Sequence, residues 1–401
     1  MAKLRLMARG SFAWLSAAVA IAVACSTEYN KPIGSRPTQP ATGGRAGSAT
    51  GGVAGFATIP NGGLSSSTGG RAPGEPPGDS ALTFVNGVVD AKRVLLCLTT
   101  GEGPESSGWG SPFPEGGLDY GGSLVVTDQE SLELDGQPFA PAVIAGALEL
   151  VEGMDCEEAL ATARAEQAAV PEGGAEELGD EGEVGGAGAG GEGGAPARLP
   201  PKPRLRVGTL PMLPPETLAS GRSLLMVGVG CIGGPAYSAK NDVLACGADY
   251  TPERPTLSAV AVRMSRSRLT GRVGFAALSA VTASAPIDVR SAPLMDSSDP
   301  TMWITTQLPF GVIAPDPPRL DFTVLGYRAN SSSWALQVLA NGSVMYSEPW
   351  TDVTERTGIT LVDGRNYTVV VIGPSVGLAL TGGFWNASRA VVVDSDPTYV
   401  E

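Results

Sequence analysis

The amino-acid sequence predicts an all-β fold: two tandem antiparallel β-sandwich (Ig-like) modules that follow a disordered, glycine-rich tether. The first observation behind this prediction is that apolar and polar residues alternate in many short runs, the pattern of half-buried strands. The second is that eight to ten such runs lie between residues 272 and 393, where no stretch has the 3.6-residue periodicity of a helix. The third is that 55 Gly and 33 Pro among 401 residues indicate long loops and linkers.

The alternation is clearest in three segments near the C-terminus. The apolar residues that share one face in each segment are Leu320, Phe322 and Val324, then Trp334, Leu336 and Val338, and finally Tyr367, Val369 and Val371. We expect each segment to be a strand that turns these side chains towards a core.

Residues 1–24 have the pattern of a secretory signal peptide. Three positive charges, on Lys3, Arg5 and Arg9, precede an uncharged and mostly apolar run of 13 residues, 12–24. That run is too short to span a bilayer comfortably. We therefore expect the chain to be exported, and removal of the signal changes the net charge from −14 to −17.

The end of this segment, Ala22-Val23-Ala24-Cys25, resembles the bacterial lipobox. In a lipobox the cysteine is lipidated and becomes the mature N-terminus, so the resemblance implies a lipid anchor on Cys25. An ordinary cleavage site with a cysteine nearby by chance is the alternative. The anchor would bind the protein to a membrane of the bacterial cell envelope, such as the outer membrane, facing the periplasm or the surface.

Residues 25–80 have the composition of a disordered tether. They are mostly Gly, Ser, Thr, Pro and Ala, and the sequence Thr-Gly-Gly-Arg-Ala occurs at 42–46 and again at 68–72. Such a segment buries too little apolar surface to offset its ordering entropy. A Gly-rich coil of about 55 residues spans roughly 40 Å, enough to hold a folded domain clear of a membrane.

The rest of the chain divides into a first module at 81–262 and a second module at 263–401. The first is interrupted by an acidic insertion at 152–201, in which residues 152–192 hold twelve acidic side chains and one basic side chain. We expect a disordered, solvated insertion, with one short helix at 156–169. The calcium-loop pattern D-x-[DN]-x-[DN]-G does not occur in it.

Charge and composition exclude several classes of function. A net charge of −14 argues against nucleic acid as a partner, because proteins that bind it carry a basic face. The sequence holds no His, which excludes Ser-His-Asp and Cys-His catalysis and histidine-ligated metals. A pair of carboxylates, as in glycosidases, remains an enzymatic option, with Asp296 and Asp299 or Asp394 and Asp396 as candidates.

An internal repeat connects the two modules. Segment 218–228 matches segment 361–373, because in both a Gly-Arg turn precedes an apolar strand that ends in glycine. Upstream, the strand pair at 84–85 and 94–97 mirrors the pair at 273–275 and 287–289. The sequence therefore predicts two copies of one module.

Three motifs of the second copy carry a resemblance to a known family. They are Gly271-Arg272-Val273-Gly274-Phe275, Ala285-Pro286-Ile287-Asp288-Val289 and Leu361-Val362-Asp363-Gly364-Arg365-Asn366-Tyr367-Thr368-Val369. Through them, about 120 C-terminal residues resemble the bacterial domain of unknown function 4397. The first copy matches more loosely, with Asp90-Ala91-Lys92-Arg93 and Leu224-Leu225 at the corresponding places. The resemblance implies an exported all-β module, often carried by tethered surface lipoproteins, and it brings no catalytic residues.

Four cysteines follow Cys25 in the sequence. In an exported chain an even number favours disulfides, and Cys97, Cys156, Cys231 and Cys246 allow three connectivities. The economical pairing joins Cys231 to Cys246, which are close in sequence, and Cys97 to Cys156. A zinc site is the alternative, although the CxxC spacing is missing.

Two further patterns have simple structural interpretations. Residues 228–233 fit G-x-G-x-x-G, but Gly234-Pro235 follows where a dinucleotide fold needs a helix, so we expect a strand end and a loop. Four arginines near the module boundary are expected to lie in a solvated linker; surface glycans, lipid phosphates or the acidic insertion are the alternative partners. These are Arg263, Arg266, Arg268 and Arg272.

Together these observations predict a non-enzymatic, lipid-anchored envelope protein whose modules present a surface for binding, structural or adhesive contacts. No cofactor and no metal is expected. The expected ligand is a surface glycan or a protein. The alternative is a glycan-active enzyme that uses a pair of carboxylates.

Overall fold

The strands of the computed structural model form two β-sandwiches, so the all-β prediction is confirmed. The structure describes residues 80–100, 107–127, 139–169, 204–213, 222–233, 245–247, 249–251, 254–266, 271–282, 284–294, 301–322, 333–374 and 386–397. The predicted signal peptide, Cys25 and the tether up to residue 79 lie outside these ranges, as does the acidic insertion from 170 to 201. All of the described residues lie within one compact part of the chain, Val53–Glu401.

Two four-stranded sheets make up the first module. Its strands are β1 (Ala81–Asn86), β2 (Arg93–Thr100), β3 (Ser107–Asp119), β4 (Ser123–Val126), β5 (Phe139–Gly146), β6 (Leu205–Thr209), β7 (Ser223–Val229) and β8 (Ser258–Met264). The inner sheet has the order β4-β1-β7-β8, and the outer sheet has the order β3-β2-β5-β6. Neighbouring strands are antiparallel except for β1 and β7, which are parallel.

The second module repeats this topology strand for strand. Its strands are β9 (Val273–Thr282), β10 (Ile287–Pro293), β11 (Met302–Leu308), β12 (Ile313–Phe322), β13 (Trp334–Ala340), β14 (Ser343–Pro349), β15 (Asn366–Pro374) and β16 (Arg389–Asp394). The inner sheet has the order β12-β9-β15-β16, the outer sheet has the order β11-β10-β13-β14, and β9 and β15 are the parallel pair. The predicted internal repeat is confirmed. Since β8 ends at Met264, the first module extends two residues beyond the predicted boundary at 262.

Each sandwich encloses an apolar core between its two sheets. In the second module the largest core side chains are Phe275, Trp350 and Tyr367, all fully buried. The ring centroid of Phe275 lies 5.4 Å from that of Trp350 and 5.9 Å from that of Tyr367. In the first module, Phe84 and Phe139 are the large aromatic side chains that are fully buried in the core. Burying such a side chain contributes roughly 1.5–3 kcal/mol.

Helix α1 (Cys156–Ala168) covers the outer sheet of the first module. The carboxylate of Asp155 caps it by accepting a hydrogen bond from the Glu158 N–H at 2.8 Å. Its buried residues, Cys156, Ala159, Leu160 and Ala163, follow helical spacing. A 3₁₀ helix, Leu148–Leu150, precedes it. The predicted helix is therefore confirmed, but the prediction of disorder was wrong for residues 152–169, because this apolar stripe packs on the sheet.

Helix α2 (Trp350–Thr357) was not predicted. It inserts Trp350 and Val353 into the core of the second sandwich and ends at Gly358, whose φ is 66°. Eight residues contain only about two helical turns, so the apolar spacing is too brief to be recognised as a helical period. Among the described helices, neither has the length and apolar character that a membrane crossing would need.

The structure joins the cysteines in the economical pairing. Cys97 on β2 is bonded to Cys156 at the start of α1, with Cα atoms 5.5 Å apart, and Cys231 is bonded to Cys246, with Cα atoms 5.3 Å apart. The predicted connectivity is confirmed. Cross-links over separations of 59 and 15 residues stabilise the fold by about 4 and 3 kcal/mol, since each restricts the unfolded chain.

The inner sheets of the two modules pack face to face. Val85, Leu225, Val227, Val260 and Val262 of the first module form one buried cluster with Leu278, Ala280, Val370, Ile372 and Val391 of the second. Strand β15 is consequently buried along its whole length, because its alternate residues Tyr367, Val369 and Val371 face the core of their own sandwich. The interpretation of this segment as a half-buried strand was wrong, since a neighbouring sheet covers its second face.

Polar contacts fasten one end of this interface. The side-chain amide of Asn386 donates hydrogen bonds to the carbonyls of Val89 and Ala91 at 3.0 and 2.9 Å. The Tyr120 hydroxyl donates to the Ala387 carbonyl at 3.0 Å. The Arg389 guanidinium donates to the Tyr120 carbonyl at 3.0 Å. Backbone carbonyls of both modules therefore accept hydrogen bonds from side chains of the other module.

The hydroxyl of Tyr367 holds the turn that leads into β15. It donates to the Thr360 carbonyl at 2.9 Å and accepts from the Val362 N–H at 2.8 Å. A hydroxyl that bonds back to the preceding backbone is the tyrosine corner of Ig-like sandwiches. Burial raises the pKa of Tyr367 to about 12.

We expect Tyr367→Phe to lower the free energy of unfolding by about 1–2 kcal/mol, because two partly buried backbone groups lose their partner. Urea denaturation measures the change. Leu224 has the matching place in the first module, so Leu224→Met is a control without hydroxyl loss and should cost less than about 1.5 kcal/mol. Equal stability of wild type and Tyr367→Phe would show that other contacts hold the turn.

Candidate functional site

The two outer sheets differ on the face that points away from the core. In the first module this face is apolar: Leu95, Ile144 and Val207 are cross-strand neighbours there, and helix α1 lies on them. In the second module, α2 contributes to the core instead. The same face of the second outer sheet carries polar residues and Trp303 beside the buried apolar residues Ala292, Ala335 and Leu339. This difference between two copies of one topology marks the face as the candidate functional site.

Four residues form a straight line across this sheet, which we call the polar row. Trp303 of β11 is paired in register with Arg290 of β10, Arg290 with Gln337 of β13, and Gln337 with Ser347 of β14. Neighbouring strands lie about 4.8 Å apart, so the row extends over about 14 Å.

Contacts between the side chains connect the polar row from one end to the other. The guanidinium carbon of Arg290 lies 5.1 Å from the centroid of the Trp303 ring, within the range of a cation–π contact. Arg290 Nε donates to Gln337 Oε1 at 2.9 Å, and Gln337 Nε2 donates to Ser347 Oγ at 3.4 Å. Each side chain therefore has its orientation set by a neighbour.

The direction of these side chains follows from strand geometry. The residues on either side of each one face the core: Val289 and Ser291 flank Arg290, Met302 and Ile304 flank Trp303, and Leu336 and Val338 flank Gln337. Successive side chains alternate between the faces of a sheet, so the row points outward. Arg290, Trp303 and Gln337 are half-buried and Ser347 is exposed, whereas Ala335 and Leu339 beside Gln337 are buried. The side chains of the polar row are therefore more exposed to solvent than Ala335 and Leu339, which lie on the same face of β13.

A carboxylate lies beside the polar row. Asp288, two residues before Arg290 on the same strand face, accepts hydrogen bonds from the N–H of Gln307 at 2.7 Å and from its Nε2 at 3.5 Å. Gln307 has a φ of 53°, a conformation that few residues other than glycine adopt, and it lies where the pairing of β10 and β11 is irregular. The bond to Asp288 holds this bulge and fixes the direction of the carboxylate.

The sequence-predicted carboxylate candidates lie elsewhere. Asp296 and Asp299 fall outside the described residues. Asp394 forms an ion pair with Arg365 at 2.7 Å, and Asp396 forms one with Arg266 at 3.6 Å. Asp394 and Asp396 are thus both paired with arginines of the protein itself.

The boundary arginines also differ from expectation. The Arg266 side chain is only 17% exposed, and besides Asp396 it contacts the Arg222 carbonyl at 3.3 Å. The interpretation as a solvated linker was wrong for Arg266, because the packing of the two modules encloses it. Arg272 is exposed, and Arg268 lies outside the described residues.

The G-x-G-x-x-G segment lies at the end of β7, as the strand-end interpretation predicts. Gly230 has a φ of 80°, and a Cβ there would collide with the Thr256 carbonyl oxygen. The N–H groups of Ile232 and Gly233 donate to the Asp90 carboxylate at 2.9 and 3.0 Å. Burial raises the pKa of Asp90, and the Arg206 guanidinium and these N–H groups oppose that rise. In a dinucleotide fold, N–H groups of this loop would bind a phosphate. Here the N–H groups of Ile232 and Gly233 bind the buried carboxylate of Asp90 instead.

Within the part of the chain that the structure describes, Cys, Asp and Glu side chains form no group of three that could hold a metal ion. No family model matches this chain, and no curated protein is significantly similar to it. The resemblance to the domain of unknown function 4397 stays a prediction.

Sequence reasoning missed the polar row. Arg290, Trp303 and Gln337 occupy outward positions, and all their flanking residues except Ser291 are apolar, so the alternation was visible in the sequence. Their alignment depends on the pairing register of four adjacent strands whose order in the sheet differs from their order along the chain. Asp288 lies inside one of the three motifs that carry the family resemblance. That motif was the signal in the sequence that pointed to this strand.

Proposed function

We propose that this chain is a lipid-anchored protein of the bacterial cell envelope whose two joined sandwich modules present the polar row as a non-catalytic binding surface. The observation that carries the proposal is the contrast between the outer sheets. One has an apolar face that a disulfide-linked helix covers, and its counterpart carries a row of ordered polar side chains.

The joined modules suit a protein that presents a ligand site at a distance from its anchor. Side chains from both inner sheets are buried in one cluster, so the two sandwiches act as a single block. The polar row is on the outer sheet of the second module, which is the C-terminal one. The anchor and the tether predicted at residues 25–80 would be attached to the other module.

A glycan-active enzyme with a carboxylate pair is the alternative function. Such an enzyme needs two carboxyl groups on either side of a bond to be cleaved. Asp394 and Asp396 each contact an arginine, and Asp288 lies beside the polar row, two residues before Arg290 on the same strand face. This arrangement supports binding over hydrolysis.

Cys25→Ala is expected to release the protein from membranes, because a chain without its lipid keeps no apolar anchor of comparable strength. The measurement is the distribution of the full-length protein between membrane and soluble fractions of the producing bacterium, with mass spectrometry of its mature N-terminus. Ser26→Ala, one residue later, is the matched control and should leave the protein in the membrane fraction. Membrane association that survives Cys25→Ala would contradict the anchor.

A further inference from the structure

We infer that the polar row binds the sugar rings of a neutral polysaccharide. This inference rests on the proposed binding function and adds the chemical class of the ligand. It follows from the side chains that compose the row, from the way they are held and from the charge around them.

A sugar ring offers an apolar surface of C–H groups and a rim of hydroxyls, each of which both donates and accepts. Trp303 supplies a large apolar ring with a polar edge, which suits the first of these surfaces. Arg290 and Gln337 present planar groups with several donors, and Asp288 presents two acceptor oxygens.

Contacts within the protein hold the side chains of the polar row in place. Arg290 is held between the Trp303 ring and the Gln337 carboxamide, and Ser347 accepts from the other end of that carboxamide. The Gln307 N–H fixes Asp288. Binding therefore orders few additional side chains, which keeps its entropic cost low.

The geometry favours an extended ligand over a single ring. The four residues of the row lie on four adjacent strands, at a spacing of about 4.8 Å from one to the next. A chain of sugars can lie along this line and meet Trp303 at one end and Ser347 at the other. A monosaccharide would contact only part of the row.

Charge argues for a neutral polysaccharide. Arg290 brings one positive charge to this face, and Asp288, two residues earlier on the same strand face, brings one negative charge, so these two side chains offer no excess of positive charge to attract a polyanion. A protein ligand would be expected to meet a patch whose centre is apolar. The polar row instead has charged and amide groups at its centre.

Affinity electrophoresis with the full-length protein in detergent tests the inference. The gels contain one neutral polysaccharide each: β-glucan, xylan, mannan or starch. We expect at least one of them to retard the wild type. Trp303→Ala and Gln337→Ala should each weaken that retardation by about tenfold, since ring stacking and a paired hydrogen bond contribute on that scale. Trp303→Phe should restore part of it.

Phe310→Ala is the matched control, because Phe310 is an aromatic residue, 41% exposed, in the turn after β11 and outside the row. It should leave retardation unchanged, and all variants should keep the wild-type melting temperature within a few degrees. Retardation by none of the four polysaccharides overturns the inference, and so does an equal loss in Phe310→Ala.

Two further outcomes distinguish failure of the sugar ligand from failure of the proposed binding function. Retention of the wild type on isolated cell envelopes, lost in Trp303→Ala while no polysaccharide retards the protein, would overturn the sugar ligand and leave the binding surface standing. Release of reducing ends from a retarding polysaccharide, lost after a single Asp→Asn change, would overturn the non-catalytic function.

Discussion

Asp90→Ala is expected to lower the free energy of unfolding by about 3–5 kcal/mol, a large share of the stability of a small protein. The Asp90 side chain is fully buried and accepts from Arg206 Nη1 at 3.2 Å in addition to the two N–H groups of the loop after β7. The Arg206 side chain is only 15% exposed. Its charge would lose this partner in a mostly dry site, and the loop amides would lose their acceptor.

Asp119→Ala is the matched control, because it removes a carboxylate from another Asp–Arg pair of the same module. The side chains of Arg93 and Asp119 are 54% and 76% exposed, although they approach to 3.1 Å. Water and salt screen such a pair, so the change should be below about 1 kcal/mol. Urea denaturation of both variants gives the comparison, and similar small losses would show that burial adds nothing to the Asp90 contact.

The repeat could be predicted from the sequence because local signals define it. Gly221-Arg222 and Gly364-Arg365 each precede an apolar strand, β7 or β15, and these two strands have the same place in the two inner sheets. The disulfides could also be predicted, since the number of cysteines and their spacing leave few pairings. Both inferences need only residues that are near in sequence or few in number.

The packing of the inner sheets was not predicted, although the sequence carried a signal for it. Residues 224–227 and 369–372 are continuous apolar runs, which indicate strands buried on both faces. The alternation of apolar and polar residues explains only the face of β15 that carries Tyr367, Val369 and Val371. The polar row could not be predicted at all, because it depends on the register of β11, β10, β13 and β14, which pairing across the sheet determines.

Val370→Asp is expected to lower the free energy of unfolding by at least about 3 kcal/mol. Val370 is fully buried between the inner sheets, among Leu225, Val227 and Val391. A carboxylate there would lie in an apolar layer without a partner. Calorimetry measures the loss, and small-angle scattering reports whether the two sandwiches move apart.

Val125→Asp is the matched control, since Val125 lies on edge strand β4 and is 41% exposed. It makes the same chemical change at the surface and should cost less than about 1 kcal/mol.

The scattering measurement distinguishes two ways of losing the interface. If the apolar cluster alone holds the modules together, the radius of gyration of Val370→Asp increases while each sandwich stays folded. If the Asn386 and Tyr120 contacts hold them instead, the radius stays at the wild-type value until Asn386→Ala is added. A variant that unfolds in one transition at the wild-type temperature would contradict the buried interface, because an unpaired charge cannot be accommodated there without cost.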